Sequence, residues 1–256
     1  MYTCFNFVYG KGKIMITSKD NELIKKCIRL QSKKYSREES LCLVESIKLV
    51  KELYDKKLID SVLVVKSKFN LVSSFTCRVE VIDDRLAKMI SSTVTTDGVF
   101  AICKIPDKKS VTYKKCLVLD RIQDPANMGA IVRTACAFGF DTIFTIDSVY
   151  PYSAKTIRSS MGYVFAVNFV EVDYSQLRKI KSDNNMVFYA ADMGGDIIDN
   201  INTEDKNIAL IIGNEGQGVS KELMGIADKI VAIPMKNNVE SLNASVSASI
   251  IMYFLR

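Results

Sequence analysis

The chain contains no histidine, and this absence narrows the chemistry open to it. A zinc site would need cysteine and carboxylate ligands alone, and no imidazole is available as a general base. The seven cysteines show no metal-ligand spacing, and several lie in apolar runs. We interpret them as buried thiols of a protein in the reducing cytoplasm, and we expect no metal.

Long hydrophobic stretches are also missing. No segment approaches the roughly 20 apolar residues that span a bilayer. Residues 1–10 carry no basic residue ahead of their short apolar run, so they do not resemble a signal peptide. We therefore expect a cytoplasmic protein with no membrane partner. The absence of a dinucleotide fingerprint makes a nucleotide-binding oxidoreductase the least favoured function.

The positive charge is concentrated in the first part of the chain. Residues 1–110 hold 21 basic and 13 acidic residues, a net charge of +8, against a net charge of +6 for the whole chain. Residues 11–37 alone hold nine basic residues. Such a segment suits a polyanion such as nucleic acid, although a solvated helix face is an equally weighted alternative. The candidate contacts in this segment are Lys25, Lys26, Arg29, Lys33, Lys34 and Arg37.

The length of 256 residues allows one large or two ordinary domains, and the apolar pattern favours two α/β units. We divide the chain into an N-terminal extension, a first unit, a polar linker and a second unit, at 1–12, 13–106, 107–113 and 114–256. In the second unit short apolar strands alternate with helices, which predicts a mainly parallel sheet covered on both faces. Its predicted strands are 116–119, 142–146, 186–190, 208–212 and 230–233.

Three short blocks of the second unit place loops or turns where strands should end. They span residues 124–135, residues 212–219, and residues 233–235 together with 240–245. Because the carboxyl ends of parallel strands meet at one edge of a sheet, the blocks predict a cofactor pocket at that edge.

The first block combines a helix start with an arginine. Asn127 lies where a helix N-cap is expected, and the helix should run to Phe138 and end at Gly139. Arg133 is permanently charged and could hold a phosphate or a developing oxyanion. A surface salt bridge is the alternative for Arg133.

The second block is rich in glycine, and the third leads into a helix of small side chains. Three glycines within residues 213–218 permit close backbone approach to a ligand, with Glu215 held beside it; a plain strand-to-helix turn is the alternative. Small residues from Ala244 to Ser249 permit close packing of the final helix. That packing could be against the cofactor loop or a second subunit, and a plain buried helix is compatible with both.

These three blocks, in this order and spacing, resemble the motifs of the SpoU branch of the SPOUT RNA methyltransferases over residues 114–255. The first unit is similar to the ribosomal-protein-like substrate-binding domain often fused to that branch. The resemblance implies a deep trefoil knot in an α/β fold, S-adenosylmethionine as the cofactor, and a homodimer formed through the methyltransferase domain. The reaction it implies is methylation of a ribose 2′-hydroxyl of RNA.

The resemblance also assigns site residues. The implied catalytic residues are Arg133, Asn127 and Glu215. The implied cofactor-binding residues are Gly213, Ile233, Met235, Ser241, Leu242 and Asn243, and Lys155 and Arg158 join the RNA contacts. A guanidinium with a pKa above ~12 is a poor base, so we expect Arg133 to orient the hydroxyl and stabilise the alkoxide. Glu215 or water would then take the proton.

The substrate is less narrowly predicted than the reaction. The extra domain favours a structured ribosomal RNA, with transfer RNA as the runner-up. A knotted RNA-binding protein without catalysis, and methylation of a base, are the alternatives. Asn238 stands where the family often has glycine, but asparagine tolerates a left-handed turn.

Overall fold

The computed structural model describes residues 8–9, 13–107, 111–200, 207–237 and 239–256, the first four of these (8, 9, 13 and 14) by their backbone alone. The described chain forms two compact units. The first comprises Met1–Pro106 with Tyr152–Arg158, and the second comprises Asp107–Pro151 with Ser159–Arg256. The predicted extension and linker lie partly outside the described residues, as do Cys4 and Asn238, so these boundaries stay predictions.

The first unit is built on a mixed four-stranded sheet. Its elements are β1 (Val8–Tyr9), β2 (Lys13–Ile14), α1 (Glu22–Arg29), α2 (Lys33–Glu39), β3 (Leu41–Glu45), α3 (Ile47–Asp55), β4 (Ile59–Val65), β5 (Arg78–Ile82), α4 (Asp84–Ile90) and β6 (Val99–Lys104). The sheet order is β3-β6-β4-β5, in which only β4 and β5 are parallel. The basic segment forms two helices and not one, because Ser32 adopts an extended conformation (φ −84°, ψ 129°) as the N-cap of α2.

The second unit carries a six-stranded sheet. The elements along this part of the chain are β7 (Lys115–Asp120), α5 (Pro125–Phe138), β8 (Thr142–Ile146), α6 (Ala154–Ser159), β9 (Asn168–Glu171), α7 (Tyr174–Asp183), β10 (Val187–Ile197), β11 (Ile208–Ile212), α8 (Lys221–Met224), β12 (Lys229–Ala232) and α9 (Ala244–Phe254). All belong to the second unit except α6, which belongs to the first unit up to Arg158. The order is β12-β10-β11-β7-β8-β9, and every neighbouring pair is parallel. The predicted α/β class with a mainly parallel sheet is confirmed, and the trefoil knot stays a prediction.

Three strands of this sheet lead into the three sequence blocks. β7 ends at Asp120, β11 at Ile212 and β12 at Ala232, and all three run in the same direction. Their apolar side chains are buried except for the half-buried Ile230, and Leu117 and Leu210 are fully inaccessible to solvent. The core of the sheet therefore fixes where the three loops emerge, at one shared edge.

Two local predictions for the second unit are wrong. Asp124, and not Asn127, is the N-cap of α5: its side chain accepts a hydrogen bond from Ala126 N at 2.9 Å, and Pro125 takes the first helical position. The sequence pattern also missed β9, a four-residue, half-buried strand at the edge of the sheet. The predicted C-cap is correct, since Gly139 adopts φ 76°.

The described cysteines are enclosed to different degrees. Burial raises the pKa of the Cys27 thiol and of the Cys116 thiol to about 12, so both are protonated at neutral pH. Cys42 and Cys103 are also buried, whereas Cys77 and Cys136 are half-buried. Within the ranges that the structure describes, no group of three cysteine or carboxylate side chains could hold a metal ion. The helices in those ranges include none long and apolar enough to cross a bilayer.

Candidate active site

A cavity of about 430 Å³ opens at the carboxyl edge of the six-stranded sheet. Its walls are the loop after β11, the end of β10, the segment after β12 and the first turns of α9. The predicted cofactor residues that line it are Gly213, Ile233, Met235, Ser241 and Leu242, together with the predicted catalytic residue Glu215. Asn243 does not line the cavity and contacts Asn127 instead.

Part of the cavity wall was missed by the sequence reasoning. Asp192 and Met193 line it because β10 continues past its predicted end at residue 190. Its register against β12 shifts between Ala191 and Asp196. The glycine pair Gly194-Gly195, which follows a predicted strand at the correct edge, was the available signal. Glu240 and Ser247 also line the cavity and were not predicted.

The lining has the chemistry of a site for a mostly apolar ligand that carries positive charge. Ile212, Val231 and Ile251 supply apolar surface, while Asp192 and Glu240 are carboxylates at the wall. The volume lies within the roughly 300–1,000 Å³ of small-molecule pockets. S-adenosylmethionine combines a flat apolar adenine with a sulfonium cation, so the residues present fit that cofactor.

Gly213 sets the shape of the loop after β11, residues 213–218, which is predicted to hold the cofactor and is called the cofactor loop below. A Cβ atom at this position would overlap the backbone of Gly218 and Val219. The chain closes on itself there, because Asn214 N donates to Gly218 O at 3.0 Å and Gly218 N donates to Asn214 O at 2.9 Å. Gly218 itself adopts φ +67°, which an L side chain rarely tolerates.

The side chain of Asn214 fixes this loop from inside. Its Oδ1 accepts hydrogen bonds from Gly216 N at 2.9 Å and Gln217 N at 3.1 Å. Its Nδ2 donates to Arg121 O at 2.8 Å. The cofactor loop is therefore tied to the turn that follows β7.

An ion pair at the end of β7 holds the same loop from outside. Asp120 is fully buried, and its Oδ1 lies 3.2 Å from Nε of Arg121. The hydrogen bond that Arg121 donates to Asp120 raises the pKa of the Arg121 guanidinium, which stays charged. Arg121 also donates from Nη1 to Gln217 Oε1 at 2.6 Å and from Nη2 to Gly218 O at 3.1 Å. One fork of donors thus joins a buried carboxylate to the cofactor loop.

This bridge predicts a role for Arg121 in cofactor binding. Arg121→Lys keeps the charge beside Asp120 but loses the fork that reaches both Gln217 and Gly218. We expect the KM for S-adenosylmethionine to rise about tenfold, with kcat at saturating cofactor nearly unchanged. Initial rates over a cofactor series measure both constants. Gln217→Ala, which removes a single contact, is expected to have a smaller effect; an unchanged KM in Arg121→Lys would contradict the assignment.

A chain of hydrogen bonds links all three sequence blocks. Asn243 Nδ2 donates to Asn127 Oδ1 at 3.0 Å, and Asn127 Nδ2 donates to Glu215 Oε1 at 2.9 Å. Glu215 also accepts from Asp124 N at 3.2 Å and Gln123 N at 3.3 Å. The carboxylate therefore joins the start of α5 to the cofactor loop.

These donors set the charge of Glu215. Burial alone would raise its pKa, but the hydrogen bonds from Asn127 and from the backbone outweigh burial and lower the pKa below its ordinary 4.5. The stability that these bonds contribute is present above pH 4.5 and is lost as the pH falls through the lowered value. At neutral pH Glu215 is an ionised acceptor with donors on both oxygens.

Arg133 lies apart from this cavity. It is exposed on α5 and lines a second, shallow cavity with Thr134, Ala137, Phe138, Ser249, Ile250 and Tyr253. Among the described residues it makes no hydrogen bond or ion pair. Asn127 is six positions earlier in the helix, so the two side chains lie on different faces of α5. The structure brings Asn127, Glu215 and Asn243 together and leaves Arg133 outside the group.

The predicted RNA contacts lie on exposed helices of the first unit. Arg29, Lys33, Lys34 and Arg37 are exposed on α1 and α2, and Lys25 and Lys26 are half-buried. Lys25 pairs with Glu22 at 2.9 Å, a surface pair that restrains the ammonium group only weakly. Lys155 and Arg158 are exposed on α6, and Arg158 Nη1 donates to Ser92 Oγ at 3.0 Å.

The fold and the cavity define a cofactor-binding α/β protein, and comparisons with known proteins identify its family. The SpoU rRNA Methylase family matches residues 114–253, more than half of the chain. A 23S rRNA (guanosine(2553)-2′-O)-methyltransferase of Bacillus subtilis is 30% identical over 94% of this chain and 98% of its own length. A 23S rRNA (adenosine(1067)-2′-O)-methyltransferase of Streptomyces laurentii is 34% identical over 69% of this chain and 68% of its own.

A solved structure shows the same architecture. The AdoMet-bound rRNA methyltransferase from Sinorhizobium meliloti superimposes with a TM-score of 0.82 at 24% identity, covering 94% of this chain and 97% of that one. At this identity the likeness concerns the fold alone. The chain belongs to the SpoU rRNA methylase family, which confirms the resemblance carried by the three sequence blocks, and it is an RNA methyltransferase.

Proposed function

We propose that this protein transfers a methyl group from S-adenosylmethionine to a ribose 2′-hydroxyl of structured ribosomal RNA. The observation that carries the proposal is the hydrogen-bond chain from Asn243 through Asn127 to Glu215 beside the 430 Å³ cavity. It joins all three blocks of the family into one polar site. The relative from Bacillus subtilis, matched over nearly its whole length, is named as a 23S rRNA 2′-O-methyltransferase.

The cavity residues divide the work of holding the cofactor. S-adenosylmethionine, when bound, supplies a methyl group activated by a sulfonium. Ile233, Leu242 and Ile251 offer an apolar bed for the adenine, and backbone groups near Met235 lie at the cavity wall. Asp192 and Glu240 favour the positive charge of the sulfonium and ammonium groups. The tight turn at Gly213 lets the backbone of the loop approach the cofactor closely.

The proton of the attacking hydroxyl requires a separate acceptor. Glu215 is a weak base here, because its pKa is lowered and both oxygens already accept hydrogen bonds. We assign it to positioning Asn127 and Asn243, and we assign the proton to water. Arg133 stabilises the alkoxide that develops on the ribose oxygen. By holding the ribose hydroxyl next to the bound methyl donor, the site would remove up to roughly 7–11 kcal/mol of the barrier.

The position of Arg133 supports a homodimer as the working form. It lies on the face formed by α5 and α9, where Val246 and Tyr253 are 45% and 50% exposed. Val246, Ile250 and Tyr253 are spaced four and three residues apart, which places them along one side of α9. Pairing of two such faces buries this apolar strip and carries Arg133 toward the cavity of the partner subunit.

The first unit supplies affinity for the RNA. Its exposed cations on α1 and α2 are suited to phosphate contacts, so binding should weaken as salt rises. A structured RNA offers both a phosphate backbone for these cations and unpaired nucleotides for the site. We place the reaction in the cytoplasm, where the buried thiols stay reduced.

Methyl transfer to fractionated RNA tests the proposed function. The full chain is incubated with labelled S-adenosylmethionine and RNA from cells that lack the modification, with ribosomal and transfer RNA separated before nucleoside analysis. We expect label in a 2′-O-methylnucleoside of ribosomal RNA. Label only in transfer RNA, label in a base, or no label despite measurable cofactor binding would each overturn the proposal.

A further inference from the structure

A loop of the first unit presents an isolated apolar side chain to solvent. Residues 91–97 connect α4 to β6, and Val94 near the middle is 108% exposed. The other exposed large apolar side chains of the described chain are 40–63% exposed. A valine without any neighbouring surface gains nothing for the fold, because none of its area is removed from water. Val94 is therefore available to a binding partner at no cost to the fold.

The base of this loop is held by one carboxylate. Glu45, at the end of β3, accepts hydrogen bonds from Ser91 Oγ at 2.8 Å and Thr96 Oγ1 at 2.8 Å. Its two oxygens also accept from Ser92 N at 3.2 Å and Asp97 N at 3.3 Å. Donors from both ends of the loop thus converge on a single side chain that belongs to the sheet.

A second anchor fixes the end of the loop. Asp97 Oδ2 accepts a hydrogen bond from Ile47 N at 2.6 Å, and Asp97 Oδ1 lies 3.5 Å from Lys68 Nζ. The next residue, Gly98, turns with φ +68°, and a Cβ there would lie 2.7 Å from Val65. The loop is therefore ordered before any partner arrives, which lowers the entropy cost of binding.

We propose that residues 91–97 are an RNA-reading loop, in which Val94 packs against an unstacked base of the substrate RNA. This inference rests on the proposed function and deepens it by naming an element that selects the target. The loop recognises RNA through shape and apolar contact, because its hydroxyl groups are largely engaged in hydrogen bonds that hold the loop itself.

Charge and chemistry favour RNA as the occupant. The loop belongs to the part of the chain that carries a net charge of +8. The exposed Arg158, in the same unit, donates from Nη1 to Ser92 Oγ of the loop at 3.0 Å and so places a cation beside Val94. A single valine is a poor centre for a protein interface, whose binding energy depends on large aromatic or arginine side chains. Small apolar side chains do pack against or insert between bases, and unpaired bases in folded RNA present open apolar faces.

RNA binding by loop variants tests the inference. The Kd of the full chain for an unmodified in vitro transcript of 23S rRNA is measured for wild type, Val94→Glu and Val94→Leu. We expect Val94→Glu to raise the Kd about tenfold or more, with the cofactor Kd and the melting temperature unchanged, since Val94 touches nothing in the fold. Val94→Leu keeps an apolar tip and is expected to bind like wild type.

A matched control variant distinguishes an effect specific to the loop from general repulsion between an added carboxylate and the RNA. Met89→Glu makes the same change on α4 at a side chain that is 46% exposed, and it should alter the Kd far less than Val94→Glu. Glu45→Gln should raise the Kd and speed amide hydrogen exchange at residues 92–97. An unchanged Kd in Val94→Glu, or an equal loss in Met89→Glu, overturns the inference. The proposed function fails separately, if wild type itself methylates no RNA.

Discussion

Arg133→Ala is expected to abolish most methyl transfer while leaving cofactor binding intact. Removing the guanidinium takes away the charge that stabilises the developing alkoxide, and loss of one such donor costs about a hundredfold to a thousandfold in kcat. The side chain is exposed and lines no part of the cofactor cavity, so the affinity for S-adenosylmethionine should not change. Single-turnover transfer and calorimetric cofactor binding measure the two effects separately.

Mixed dimers show which subunit Arg133 serves. Arg133→Ala and Gly213→Ala chains are mixed, unfolded and refolded, so that about half of the dimers contain one chain of each kind. If Arg133 acts in the partner's cavity, each mixed dimer holds one intact site out of two. About a quarter of wild-type activity should then return. If it acts within its own chain, no mixed dimer has an intact site and no activity returns. Restored activity supports the homodimer proposed from the α5 and α9 face, and its absence contradicts that proposal. Full transfer by Arg133→Ala alone would remove the residue from the mechanism.

Gly213→Ala is expected to destroy the cofactor site. The added methyl group would overlap the backbone of Gly218 and Val219, so the loop would have to open. We expect cofactor affinity to fall about a hundredfold or more, because backbone overlap cannot be relieved by turning a flexible side chain. Equilibrium binding of S-adenosylmethionine measures the loss.

Gly216→Ala provides the matched control for this loop. A Cβ at this position has only Asn214 Oδ1 near it, at 3.7 Å, and Gly216 does not adopt a positive φ. We therefore expect cofactor affinity within about threefold of wild type. If Gly216→Ala were as damaging as Gly213→Ala, general stiffening of the loop would explain the loss and close backbone packing would not.

Strands were predictable from the sequence where an apolar run is continuous and has clear ends. Residues 208–212 and 142–146 were predicted as strands with the bounds that the structure shows, because a buried parallel strand is apolar on both faces. The edge strand at residues 168–171 was not, since it is short and half-buried. The extension of β10 depends on a register shift against β12, a strand more than 30 positions away in the sequence. Local patterns do not carry such long-range pairing.

The sequence predicted which residues form the site better than it predicted where their side chains lie. Sheet topology predicted that the three blocks meet at one pocket, and the family resemblance assigned Gly213, Glu215 and Leu242 to it. The bridge made by Arg121 was not foreseen, since it requires a left-handed conformation (φ 57°) at a residue that rarely adopts one. The separation of Arg133 from Asn127 could have been foreseen, because six positions of a helix turn a side chain through about 240°.

The hydrogen bond between Asn243 and Asn127 has a consequence for how the enzyme is made. Ser241, Leu242 and Ile251, which form one wall of the cavity, are synthesised after the other parts of the site. A nascent chain that has folded its first unit and most of its second sheet therefore still lacks a closed pocket for the cofactor. We therefore expect a chain that stops before α9 to bind no cofactor and to transfer no methyl group, even where its first unit is folded.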